Sequence, residues 1–269
     1  MEAGLAGADR RGRRGGRRSG CRAAVGVTLG DMTGRELEFE DRFTTLDRWY
    51  PHYLPHWSSR SATAARYRND NGLVLRIDAD QEPWCPEFDG DTRVSGLQTA
   101  LTEGQSRFRP DLQVREKQQD LRLYTPTYGR FEIRCKAIDD PSCMVALWMI
   151  GLEDVPERSA EICIAEIFGK HVYPANTGVG MGLHPFGDPR ITDEFEVVDV
   201  PIDGREFHVY GADWQPGRVD FFVDGDLVNT VHQAPDYPMQ FQLAVFEFGP
   251  ERTGRYPKEF EVEWFRAYR

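Results

Sequence analysis

The chain has 269 residues, 40% of them apolar and 12% aromatic, enough to bury one substantial core, and a formal net charge of -11. That charge is uneven: residues 1–22 hold seven arginines against two acids, leaving 26 basic against 42 acidic side chains, a net -16, for the rest. An acidic body of this kind argues against a nucleic-acid partner, and no stretch is long and apolar enough to be a transmembrane span, so no membrane partner is expected.

Taken in chain order, residues 1–34 read as a basic, disordered leader, with Met32 as the natural beginning of the folded body. Ala23 to Leu29, after Arg17-Arg18, is short, contains glycine and lacks a small-residue cleavage site, so it makes no convincing export signal. Five cysteines at 21, 85, 135, 143 and 163 form neither a disulfide framework nor a metal-spacing motif, which mildly favours a reducing compartment. From about residue 35 the punctuation is all-β, and one domain over 35–269 is expected. Leu73 to Ile77 alternates apolar and polar residues, and residues 102–120, charged and glutamine-rich, read as a long loop at the rim of a cleft. Phe131 to Ala137 puts Phe131, Ile133, Cys135 and Ala137 on one face and Glu132 and Arg134 on the other, which suggests core behind and cleft in front. Gln215-Pro216-Gly217-Arg218 and Asp224-Gly225 supply turns between β-rich runs, and no convincing amphipathic helix exceeds two turns.

The run Ser159-Ala160-Glu161-Ile162-Cys163-Ile164-Ala165-Glu166-Ile167-Phe168-Gly169 is the most informative stretch. Two glutamates interrupt an apolar, β-branched strand, where unpaired ionised groups are expensive to bury. Paired carboxylates are what glycoside hydrolysis needs, one to attack the anomeric carbon and one to protonate the departing oxygen. In a regular strand Glu161 and Cys163 share a face and Glu166, at an odd offset, points the other way. A β-bulge adding one residue between Cys163 and Glu166 restores the common face, and the carboxyls could then approach to roughly 5 Å, the separation of a retaining mechanism.

These residues resemble the family 16 glycoside hydrolases, and among them the laminarinase-like β-glucanases, which carry Glu-x-Asp-x-x-Glu on a bulged strand. Tyr128-Gly129-Arg130-Phe131-Glu132-Ile133-Arg134 and Ala146-Leu147-Trp148-Met149-Ile150-Gly151 are similar to the family's preceding strands. Phe207 to Trp214 with Val219 to Gly225 resembles its later hairpin, and Glu263-Trp264-Phe265-Arg266 its closing strand. The resemblance implies a two-sheet antiparallel jelly roll, with Glu161 as nucleophile, Glu166 as acid and then base, and Cys163 in the place of the family's central aspartate. A thiol is a weak donor that stays neutral beside two carboxylates, so reduced or specialised catalysis is expected.

By position the resemblance also assigns Glu132 and Arg134 to sugar hydroxyls, Trp148 and Phe246 to apolar walls, and His184 to a place across the site, orienting the acid or touching the leaving sugar. Without the resemblance, Glu132 and Arg134 read as a solvent-facing ion pair, Trp148 as core packing and His184 as a structural histidine. Val155 before Pro156 stands where the family has tryptophan, removing one wall of the glycone subsite. Glu263 falls where some members hold a structural calcium with an aspartate, but one carboxylate makes no oxygen cage; no cofactor is expected. The partner implied is a polysaccharide or oligosaccharide, most directly a β-1,3 or mixed-linkage glucan, bound by a monomer that is extracellular by family habit. Three outcomes stay open: a retaining endo-hydrolase, a catalytically silent carbohydrate-binding jelly roll, and a transglycosylase.

Overall fold

The structure is a computed structural model and describes residues 35–104 and 113–269. The expected leader over 1–34 and the middle of the expected rim loop lie outside these residues. In chain order the strands are β1 Leu37–Asp41, β2 Tyr67–Arg68, β3 Leu73–Ile77, β4 Arg93–Gln98, β5 Ala100–Leu101, β6 Leu121–Arg122, β7 Gly129–Cys135, β8 Cys143–Gly151 and β9 Glu161–Phe168. They continue as β10 Val172–Tyr173, β11 Asn176–His184, β12 Glu194–Val200, β13 His208–Gln215, β14 Arg218–Val223, β15 Asp226–Val231, β16 Met239–Glu247 and β17 Lys258–Tyr268. Helix is confined to single turns such as Arg60–Thr63 and Pro86–Asp89.

Two antiparallel sheets make up the jelly roll. One runs β15-β14-β13-β7-β17-β3-β2 with β1 also on β17, and the other runs β10-β11-β9-β8-β16-β4 with β12 also on β11. Alternation decides what each strand gives to the space between them. Phe131, Ile133 and Cys135 of β7 meet Val145, Leu147 and Met149 of β8 and Ile162, Ile164, Ala165 and Ile167 of β9 in one core. Phe241 sits at its centre, 4.9 Å from the ring of Phe131 and 5.1 Å from that of Phe265.

A second apolar cluster lies on the other face of the second sheet, where Met144, Ala146 and Trp148 of β8, Cys163 of β9, and Ala244 and Phe246 of β16 come together. Tyr53, Trp84 and Cys85, from the chain between β1 and β4, close over them, with Trp57 packed alongside. This segment forms a cap because its backbone is anchored at both ends: Tyr50 exchanges hydrogen bonds with Gln98 on β4, and the Trp84 amide donates to the Thr92 carbonyl, just before β4, at 3.1 Å. The described end of the rim loop docks on the same cap through Arg115, whose amide donates to the His56 carbonyl and whose guanidinium pairs with Glu87.

Removing Phe241 would empty the middle of the core. Phe241→Ala is expected to cost about 3–5 kcal/mol in denaturant unfolding, whereas Leu227→Ala, at an exposed strand position, should change stability by less than about 0.5 kcal/mol.

Candidate active site

The two glutamates share a face because β9 bulges. Against β8, Glu161 pairs with Ile150, Cys163 with Trp148, Ala165 with Leu147 and Glu166 with Ala146, so Ile164 is the extra residue. Ile164 and Ala165 both turn into the core, and every side chain after them changes parity. On the opposite neighbour, β11, the same three residues face His184, Gly182 and Gly180. The outer face of the second sheet is thus ordered in rows across the strands: Glu161 beside His184, Cys163 beside Gly182 and Trp148, Glu166 beside Gly180 and Ala146.

Water is largely excluded. Glu166 is 7% exposed and Cys163 fully buried, with Glu161 more open at the edge. Burial raises both carboxyl pKa values, but their surroundings separate them. Burial is the main cause for both; for Glu161 the charges of Glu166 and Glu153 add to it and put its pKa well above the ordinary carboxylate range, while for Glu166 the nearby His184 works against the rise. Because the charge of Glu166 opposes ionisation of Glu161, the buried pair resists carrying two charges at once. Burial and both glutamates push the Cys163 thiol far up, and it stays neutral.

His184 is held by its surroundings: Nδ1 lies 3.0 Å from Asp193 Oδ1, and the ring stacks on Phe195 at 4.8 Å and 24°. Trp148, 8% exposed, belongs to the cleft floor. Phe246, assigned above to a cleft wall, is fully buried behind Tyr53, Trp148 and Phe248, and no sugar reaches it. Val155 is 40% exposed.

Glu132 and Arg134 are a correction. They project from β7 in the other sheet, on its solvent face, because the inner positions of that strand are taken by Phe131, Ile133 and Cys135. Glu132 accepts from Arg130 at 2.8 Å and from Tyr268 at 3.1 Å, while Arg134 pairs with Glu263 and lies over the Phe207 ring. Alternation separated core from surface correctly but could not say which sheet carried the strand. Glu263 is also 3.7 Å from Arg42, so its charge is met by two guanidiniums, and no metal-binding group of His, Cys, Asp and Glu forms among the described residues.

The structure adds residues that sequence reasoning missed. Tyr53 lies close enough to Glu161, Glu166 and Asp89 for their charges, with burial, to hold its hydroxyl protonated. Phe168 and Phe248 stack at 6.0 Å on the Glu166 side, and Trp57 and Phe88 meet at 4.5 Å on the cap. The available signal was the density of aromatic residues between Trp49 and Phe88, outside any strand pattern.

A jelly-roll sandwich with a carboxylate pair on the outer face of one sheet is the class of domain these observations define. Residues 123–265, more than half of the chain, match the profile of the glycosyl hydrolases family 16, and the chain belongs to that family. A β-glucanase of Rhodothermus marinus is 27% identical over 116 residues, 38% of this chain and 36% of its own, so the match spans little over a third of that relative. Among solved structures, an endo-β-galactosidase of Clostridium perfringens that releases GlcNAcα1-4Gal is 27% identical with a TM-score of 0.77, over 88% of this chain and 64% of its own. The catalytic domain of the Thermotoga petrophila endo-1,3-β-glucanase shares the fold at 18% identity and a TM-score of 0.62, over 87% of this chain and 98% of its own.

Because the carboxyl pKa values rise on folding, the native state holds its protons more tightly than the unfolded chain, and stability falls as pH climbs from the unfolded values through the folded ones. Glu161→Gln, which removes the costlier charge, is expected to raise the thermal midpoint at pH 8 and leave it unchanged near pH 4, measured by calorimetry across that range.

Proposed function

We propose that this protein is a retaining, endo-acting hydrolase of a β-linked glycan. The bulge at Ile164 carries the reading, since it brings Glu161, Cys163 and Glu166 to one face of a cleft walled by aromatic rings. Glu161 attacks the anomeric carbon and forms a glycosyl ester while Glu166 gives its proton to the departing oxygen; Glu166 then takes a proton from water, which attacks the ester and frees Glu161. Trp148 lies beside Cys163 on the β8 side, and His184 lies beside Glu161 on β11. Cys163 stands where the family's aspartate is expected, and its neutrality leaves Glu166 easier to ionise than a charged aspartate there would.

The resemblance to the laminarinase-like members favours a β-1,3 or mixed-linkage glucan as substrate. A second reading, a β-galactoside-containing glycan, is favoured by the likeness to the endo-β-galactosidase, which exceeds that to the Thermotoga enzyme in both identity and TM-score. The substitution at Cys163 keeps two other outcomes within the test, a binder that grips without cutting and a transglycosylase that hands the glycosyl group to a second sugar.

Reducing-end release from laminarin, a mixed-linkage glucan and a β-galactosidic glycan decides among them. The wild type is expected to cleave at least one, and Glu161→Gln to lose activity by roughly a thousandfold or more. Binding without cleavage in the wild type would overturn the hydrolase. Cys163→Asp is expected to raise kcat by about tenfold or more by holding up the pKa of Glu166; a loss instead would mean that the thiol serves the native reaction.

A further inference from the structure

Strand β12 adds an aromatic side chain to the row that carries Cys163. Phe195 pairs with Gly182, and Gly182 pairs with Cys163, so Phe195, Gly182, Cys163 and Trp148 follow one another on the same face across four strands. A Cβ on Gly182 would collide with the β12 backbone, 2.2 Å from the Glu194 carbonyl oxygen and 2.6 Å from Phe195 Cα, so the glycine lets β12 approach closely there. The ring also leans back over the next glycine: a Cβ on Gly180 would lie 2.5 Å from Phe195 Cζ and 3.3 Å from the Cβ of Glu166. Phe195 thus reaches across β11 to the flank of Glu166, braced by the stack on His184, and stays partly exposed.

Of the two carboxyls, Glu166 is the one that Phe195 flanks, across Gly180. A glycan whose departing oxygen lies at Glu166 would put the departing sugar over β11 and β12. A pyranose presents a C–H face that suits an aromatic ring and a hydroxyl rim that donates to carboxylates, whereas a sulfated or uronic sugar would be repelled by the acids beside the ring, Glu166 and Asp193.

We propose that Phe195, laid over Gly180 and stacked on His184, is the platform that binds a neutral sugar on the leaving-group side of the cleft, an assignment that rests on the hydrolase reading.

The test compares two substrates: the unmodified glycan that the wild type cleaves best, and an aryl β-glycoside of a short oligosaccharide from that glycan, whose leaving group carries no sugar. Phe195→Ala is expected to lower kcat/KM on the glycan by on the order of tenfold and to leave the aryl glycoside within about twofold. Phe195→Leu, which keeps bulk without a ring, should show the same selective loss, and Phe195→Tyr should recover activity. Gly180→Ala, whose methyl collides with the ring, should reproduce the defect with Phe195 intact. Equal loss on both substrates, or no loss on either, would overturn the platform and leave the hydrolase reading standing. A wild type that cleaves neither would end both.

Discussion

The site depends on one unpaired residue. In a strand of strict period two, the face that holds Glu161 cannot also hold Glu166, and the second carboxyl would enter a core of phenylalanine, leucine and isoleucine. An ionised group there would cost several kcal/mol. Ile164 avoids this because both it and Ala165 can sit in the core, one branched and one small, so the extra residue adds apolar contact instead of exposing it. Apolar residues at two successive positions are thus what allows two acidic residues to share a surface. The register on β11 shifts at the same level, between Gly180 and Gly182, and Gly182 takes a φ of +142° that a side chain would rarely allow.

Once the carboxyls are on one face, their chemistry follows from the neighbours that remain. Burial raises both, and the charge of Glu166 raises Glu161 further. A neutral thiol between them contributes no field. The contrast with the ionic pairs at the strand ends is instructive, since there buried charges are fully matched: Arg93 and Lys258 surround Glu247, and Tyr256 donates to it at 2.6 Å. Unmatched acids persist on β9, where an ordinary interior would have eliminated them, and such imbalance is characteristic of sites selected for chemistry.

The cleft walls have separate origins. Those on the β8 and β16 side come from the sheet itself and are sealed by a cap drawn from residues between β1 and β4, whereas the wall on the β11 side is built by an edge strand and two glycines. The first buries Phe246 and nearly buries Trp148; the second leaves Phe195 and His184 reachable. A sugar chain lying across the strands would therefore meet a packed, aromatic surface on one side of the acid pair and a more open one, with Phe195 and His184, on the other.

Local patterning in the sequence determined a good deal. The strands Leu73–Ile77 and Gly129–Cys135, the hairpin through Pro216-Gly217 and the single turns of helix are set by alternation and turn chemistry within a few residues. The bulge was legible too, because two acids at an odd spacing in an apolar strand have few ways to avoid the core. Tertiary structure alone decided where faces lead. Alternation marks Glu132 and Arg134 as facing away from the core, but a sandwich has two such surfaces, and only the order β13-β7-β17 puts them on the one without the cleft. The same holds for Phe246, hidden by Tyr53 from nearly two hundred residues away, and for Phe195, brought to Glu166 across β11. Side-chain direction is a property of neighbouring residues in the chain; what a side chain meets is a property of strand order, which long-range packing chooses.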